Sequence, residues 1–437
     1  MRLRFLVLIS ALGPGVARAQ PSEDVASAST LLVSSPHLVA WLRTRSAGVR
    51  AATEKTRQAE AEARQAGVLP NPTLGLTLGG VPVGETNPPG LGFSDTANFT
   101  VGLTEVVELG KRGPRQRGAN LRARAAAEDG VGTLAERLGD ARLALGKAVY
   151  VRAKLAALEE NLRAARDLAT LEQARRKAGD ISESEYQRVV LDAENVELDL
   201  AHGRADLADA MADCRAALTA RCDVDGVAAD ALDKAAEIPG AVDASTVAAR
   251  PDLRSLDLQR QGALEDATLA RHRVIPDPEL GVSYTADGFT VSGNDPRTLT
   301  FNVGIPLAIF DTGSHDAAKA EAHARELEAT ASATLTEARA GVDGLLEKKK
   351  YLEEAVQLVT SDAIPRSQDV LEATRKAYET GHVSLSDLIL VQRNHRELIG
   401  KALDLRFELF QARNDLRRAL GLDAAVARLD SQQEKHP

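Results

Sequence analysis

Two short stretches place carboxylates at a spacing with chemical meaning. Gly179-Asp180-Ile181-Ser182-Glu183-Ser184-Glu185 and Gly381-His382-Val383-Ser384-Leu385-Ser386-Asp387 repeat one pattern, a glycine followed six residues later by a carboxylate. Ser182 with Glu185 and Ser384 with Asp387 have the S-x-x-E/D spacing of a capping box, in which serine and carboxylate satisfy the first free amides of a helix. A first-turn carboxylate can cap its helix and still present charge to a cation. Lys111, Arg112, Arg115 and Arg117 form a basic cluster at a predicted helix start, which could engage lipid phosphates or stand as a plain solvated helix start; positive charge opposing the helix dipole mildly favours a partner.

No catalytic constellation accompanies these groups. Ser314-His315-Asp316 contains triad residue types, but adjacent residues at a helix start point in different directions, whereas a triad is assembled in space. His315 and His323 share a helix face about 12 Å apart, too far for one metal. His382 and His395 flank the second glycine-carboxylate stretch, where contact with a passing cation is weak. The residues predict no enzyme, no cofactor and no resident metal.

The elements that position these groups follow from one junction, Asn98 to Arg117. Phe99, Val101 and Leu103 alternate with Thr100, Gly102 and Thr104, the period of a strand with one apolar and one polar face. After Gly110, Gly113 and Pro114 the alternation stops, and Arg115 to Ala178 has no proline, few glycines and abundant Ala, Leu, Arg and Glu. Such a helix reaches on the order of 95 Å and projects away from its strand.

The whole order occurs twice. A helix from Pro36 to Ala66 meets Pro70-Asn71-Pro72, strands at 73–79 and 98–107 flank a Gly/Pro-rich loop, and a helical hairpin covers 115–219. After a linker at 223–249, a helix from Pro251 to Arg273 meets Pro276-Asp277-Pro278, with strands at 279–286 and 298–306 and a hairpin at 314–420. Pro70 maps onto Pro276, Gly110 onto Gly313 and Gly179 onto Gly381 at offsets of 206, 203 and 202, which marks a duplicated unit. The repeats are therefore 20–222 and 250–421, with a tail at 422–437. The return helices carry coiled-coil spacing: Val189, Ala193, Val196, Leu200, Leu207, Met211, Cys214 and Leu218 in one, and Leu398, Ala402, Leu405, Leu409, Ala412, Leu416 and Ala419 in the other.

Residues 1–19 read as a secretory leader, with Arg2 and Arg4, an apolar run from Phe5 to Leu12 and Ala17-Arg18-Ala19 as cleavage site. The run is much shorter than the ~20 apolar residues of a spanning helix. No cysteine follows the cleavage site, so no lipid is expected on the mature N-terminus. Removing Arg2, Arg4 and Arg18 takes the formal charge from −9 to −12, a poor match to nucleic acid. Aromatic content of 3% suits Ala/Leu packing between helices. Cys214 and Cys222, eight residues apart, would lie about 12 Å apart on one helix, so a disulfide requires the helix to end between them. The heptad instead favours Cys214 as a buried core thiol, in the position of Leu416 and sealed from thiol reagents.

Four strands, each with an apolar face, do not close a membrane barrel, since the smallest outer-membrane barrels need about eight, and an open edge in lipid leaves backbone groups unpaired. Several chains must contribute, with Thr, Ser, Asn and Gly inward and Leu, Val, Phe and Tyr toward lipid. A structural coiled-coil envelope protein would explain the heptads but not these strands.

With PNPTLGL and PDPELGV before the first strands, VELGKRG and IFDTG at the elbows and YETGHVSLSDLILVQ at a hairpin tip, the chain resembles the outer-membrane efflux factors typified by TolC. The resemblance covers Pro36 to Gly421, and VELGKRG is most similar to the branch serving cobalt, zinc and cadmium or copper and silver export. It implies a mixed α+β, mostly helical membrane protein: a homotrimer forming a 12-stranded β-barrel and an α-helical tunnel, in the outer membrane with a long periplasmic extension. It implies as partners outer-membrane lipid, a periplasmic adaptor and a proton-driven inner-membrane pump of the resistance-nodulation-division type. Ducts for drugs or for type I secretion would share the fold. The family's matching aspartate rings the closed periplasmic entrance, which implies that Asp387, with Glu185 in support, forms a channel constriction. The elbow basic residues would then sit at the inner membrane boundary.

Overall fold

The computed structural model describes residues 25–87, 89–238, 244–288 and 296–433, so the predicted leader lies outside the described residues. Strand β1 (Val25–Ser27), a turn of helix α1 (Ala28–Leu31) and helix α2 (Ser35–Arg45) precede α3 (Ala47–Gln65). The single helix expected from Pro36 to Ala66 is thus two. Ser46 takes an extended conformation and its hydroxyl accepts the Val49 amide, capping a new start. Next come β2 (Thr73–Gly79), a short α4 (Phe93–Thr96), β3 (Asn98–Val106), α5 (Arg112–Ala178) and α6 (Glu183–Leu218). The stretch read as a linker holds β4 (Arg221–Asp223), α7 (Ala231–Ala235) and a 3₁₀ turn at Ala244–Ala249.

The second repeat contains α8 (Pro251–Arg271), β5 (Glu279–Asp287), β6 (Arg297–Gly304), α9 (Ser314–Leu358), α10 (Ile364–Glu379) and α11 (Leu385–Ala419). β6 stops short of the expected residue 306, where Pro306 has no amide for a ladder. The tail expected at 422–437 begins instead as helix α12 (Leu422–Gln433).

The 67 residues of α5 run unbroken over about 100 Å, with Pro114 in the first turn where its missing amide costs nothing. Its counterpart is interrupted. Pro365 removes an amide and crowds the carbonyl four residues back, and the chain opens a π turn at Val359–Ala363 between α9 and α10. Both hairpin tips close alike: Gly179 and Gly381 have φ of 88° and 76°, and the next amides reach back to Arg175 O at 2.9 Å and Ala377 O at 2.8 Å.

The largest core gathers around the middle of α5, where Leu138, Leu145 and Ala148 meet Leu42 of α2, Leu218 of α6 and Phe410 of α11. Phe410 lies so close on α5 that a Cβ at Gly146 would stand 2.3 Å from its ring. One buried polar cluster crosses this region. Arg142 of α5 donates to both Asp423 oxygens at 3.0 and 2.9 Å, to Asn414 at 2.9 Å and to Ser35 at 3.2 Å, and Arg417 meets Asp423 at 3.1 Å. Burial pulls the Arg417 guanidinium below its ordinary pKa. The cluster ties the N-terminal segment, the first long helix and the chain's last two helices together.

Cys214 and Cys222 form a disulfide, which corrects the expectation of a free core thiol. The geometric condition is met because α6 ends at Leu218 and Thr219 turns the chain with a φ of 53°. Cys214 is fully buried as its heptad position requires, and Cys222 lies in β4, which pairs in parallel with β1.

The main sheet is antiparallel throughout, in the order β2-β3-β5-β6. The repeats thus meet at the β3–β5 pair, and β2 and β6 are its edges. No described helix is long and apolar enough to cross a membrane.

Candidate functional site

The sheet is the first part of the site. Its register stacks Thr77, Thr100, Thr285 and Thr298 into one row and Thr73, Thr104, Gly281 and Asn302 into another, all on one face. The Thr100 and Thr285 hydroxyls are 2.9 Å apart. The opposite face carries Leu76, Val101, Tyr284 and Leu299 in one row and Leu74, Leu103, Val282 and Phe301 in the next. Most of this apolar face is exposed, with Leu76 at 65% and Phe301 at 76%. None of the described residues covers it.

At the elbow, each residue of the predicted basic cluster has a partner within the chain. Lys111 binds Asp277 at 2.6 Å, and Arg115 pairs with Glu108 while its Nε donates to Ala66 O at 2.8 Å. Arg112 donates to Gly67 O at 3.0 Å, and Arg117 grips both oxygens of Glu265. Lys111, Arg115 and Arg117 thus find carboxylates within this protein, and Arg112 a backbone carbonyl. Asp277 also accepts the Leu109 amide at 2.9 Å, so the Pro-Asp-Pro stretch before β5 braces the exit of β3. At the second elbow Gly313 has a φ of 74°, and a Cβ there would lie 2.0 Å from Ala270 O. That close approach fixes where α9 begins.

At the far ends of the hairpins both capping boxes form. Ser182 and Glu185 exchange bonds at 2.8 and 3.3 Å, and Ser384 and Asp387 at 3.4 and 3.2 Å. The Ser182 amide, accepted by Glu185, holds that carboxyl below its usual range. Asp387 is exposed and Glu185 half-buried. The two tips are joined by Arg188 donating to Ser386 at 3.0 Å, and behind them Val189, Tyr378, Leu385 and Leu388 form a small core.

Three groups near the tips escaped the sequence reading. Tyr378 accepts from Arg175 at 2.6 Å, and burial together with the neighbouring Glu172 carboxylate pushes its hydroxyl up to about 12. Glu172 is fully buried, 3.6 Å from Arg175, with no hydrogen bond to either oxygen. Asp192, also buried, receives Arg396 on both oxygens at 3.0 Å, a clamp between the hairpins. Asp192 falls between the heptad positions Val189 and Ala193, and only the pairing of hairpins from distant sequence brings Arg396 to Asp192 and Tyr378 to Arg175.

The remaining candidates separate. Asp316 pairs with Arg273 rather than with His315, and His323 lies beside Glu326 at 3.1 Å. His395 meets Ser367 at 2.8 Å, and burial lowers its pKa. Among the described residues no cluster of His, Cys, Asp and Glu could hold a metal.

Comparison with known proteins agrees with this architecture. No curated protein matches the chain by sequence. The solved structure of CusC, reported for folding and transmembrane channel formation, is similar at a TM-score of 0.75 with 18% identity, covering 89% of this chain and 92% of that one. The Campylobacter jejuni CmeC outer membrane channel is similar at a TM-score of 0.70 with 14% identity, covering 89% and 85%. The open-state Neisseria gonorrhoeae MtrE outer membrane channel is similar at 0.71 with 18% identity, covering 89% and 88%. Residues 245–422 match the model of the outer membrane efflux protein family. That match spans the second repeat, and nearly the whole chain has the fold of solved outer membrane channels.

Proposed function

We propose that this protein is the passive exit duct of a tripartite efflux system, assembled from three copies into a 12-stranded barrel and a helical tunnel. The observation that carries this is the four-stranded sheet, with an exposed apolar face, a Thr/Ser/Asn/Gly face and two edges without a partner strand among the described residues, set directly on long helices, the first about 100 Å in length. An isolated sheet of that kind is stable only when lipid covers one face and other strands pair its edges. Periplasmic adaptor and proton-driven pump are the partners such a duct requires.

Heavy-metal cations are the proposed cargo. The VELGKRG elbow supports this, as do the carboxylates at both tips. Asp387, aided by Glu185, forms the acidic constriction where the tips of three copies converge; capping the helix leaves one carboxylate oxygen of each free to attract a divalent ion. The test is conductance of purified trimers in a planar bilayer. Divalent cations added on the periplasmic side should block the wild type, and Asp387→Asn should relieve the block. Unchanged block in an intact Asp387→Asn trimer would reduce Asp387 to a helix cap.

A further inference from the structure

We propose that β6 of one copy pairs antiparallel with β2 of a second copy of this chain in one defined register, Gly304 opposite Gly75. This rests on the multi-copy barrel reading and adds which residues meet.

The protein already contains the seam it needs to build. Between the repeats, β3 pairs with β5 from Asn98 opposite Asp287 to Val106 opposite Glu279. Duplication makes β6 the counterpart of β3 and β2 the counterpart of β5. Pro70-Asn71-Pro72 and Pro276-Asp277-Pro278 lead directly into β2 and β5, so Thr73 corresponds to Glu279 and Gly75 to Gly281. Thr73 faces Thr104 in the first strand pair, and Glu279 faces Gly304 in the second, so Thr104 corresponds to Gly304. Thr104 lies opposite Gly281 in the internal seam. Transferred to the free edges, that pairing sets Gly304 against Gly75 of the second copy.

Three observations outside the duplication agree. The register matches the faces: Phe301 meets Leu78, Val303 meets Leu76 and Ile305 meets Leu74 on the apolar side, while Asn302 meets Thr77 on the polar side. A one-residue slip would set each of these apolar side chains against a polar or glycine position. Exposure marks the same edges. Leu74, Leu76 and Leu78 are 65, 65 and 56% exposed and Leu299, Phe301 and Val303 are 60, 76 and 64%, against 37 to 48% for Val282, Tyr284, Phe99, Leu103 and Leu280 on the inner strands.

The third observation is closure. A line drawn across the sheet from Thr73 passes Thr104, Gly281 and Asn302, and in this register arrives at Thr77 of the second copy. The stagger is four residues per copy and twelve around three copies. With twelve strands, a rise of about 3.4 Å and a spacing of about 4.8 Å, the strands tilt by about 35°, within the range of closed barrels. Slips of two residues, which keep the faces, would give tilts of about 20° or about 47°, both outside the usual ~35–45°.

The test is a cysteine pair across the seam. Cys214 and Cys222 are already bridged to each other and buried, so the native thiols are silent. The double variant Val303→Cys/Leu76→Cys, oxidised in detergent, should give a covalent three-chain product on a non-reducing gel. The slip controls Val303→Cys/Leu78→Cys and Val303→Cys/Leu74→Cys should link at least about ten-fold more slowly, since diagonal neighbours lie ~7–8 Å apart. Native mass measurement of every variant reports assembly separately. Preferential linking of a control pair, or a three-chain mass with no linking of any pair, would overturn the register and leave the barrel standing. A single-chain mass for the unmodified protein would overturn the barrel reading itself.

Discussion

The two repeats share their caps, elbows and strands but differ in what backs them. α5 buries nineteen residues along its length, α9 only four over 45 residues. The first long helix is enclosed by α3, α6 and α8 and by the N-terminal and linker segments that fill the main core. The second leaves large apolar side chains such as Tyr351 and Leu358 more than half exposed. Duplicated sequence has thus produced one hairpin that is well buried within the chain and one that leaves most of its surface exposed.

The contrast can be broken most severely where the repeats are fastened together. Asp423→Ala would leave Arg142 and Arg417 buried without their carboxylate, and we expect a loss of about 3–5 kcal/mol, read as a lower thermal unfolding midpoint. Replacing Asp423 by Asn should fall between that variant and wild type, because it keeps an acceptor for Arg142. A wild-type midpoint for Asp423→Ala would show that the cluster does not hold the repeats.

A smaller effect is expected from removing the feature found only in the first repeat. The Cys214→Ala/Cys222→Ala double variant should lose about 2–3 kcal/mol for a loop of this size and make β1, which pairs with β4, cleavable by protease. A protected N-terminal segment in that variant would mean that the strands and core hold it without the bridge. The smallest effect concerns what the repeats share. Ser182→Ala and Ser384→Ala should each cost about 1 kcal/mol, because both serines cap return helices in the same way. A large inequality between them would show that one tip bears a load that its cap geometry does not reveal.

Much of this was legible in the sequence because it is local. Alternation places β2, β3, β5 and β6 within two residues of their ends, and the glycines and serines at the tips specify their own turns and caps. The disulfide needed a fact beyond spacing, that α6 stops at Leu218. The Arg142–Asp423 cluster and the Asp192–Arg396 clamp join residues 281 and 204 positions apart, so no period in the sequence reports them. The elbow cations were expected at a lipid boundary, and sequence alone named none of the partners they have within the chain. Glu108 is a local partner of Arg115, but Asp277 and Glu265 come from the other repeat and depended on how the two repeats meet.

The π turn at Val359–Ala363 gives the duplication a further twist. Each residue of an α-helix advances the side-chain direction by about 100°, so one widened turn puts the apolar stripe of α10 out of phase with that of α9. α5 carries no such dislocation, and its stripe runs true from elbow to tip. Near their ends, two hairpins of common descent therefore present unlike facets, and in the proposed three-copy assembly they would line two kinds of groove, alternating, where perfect repeats would line six of one kind.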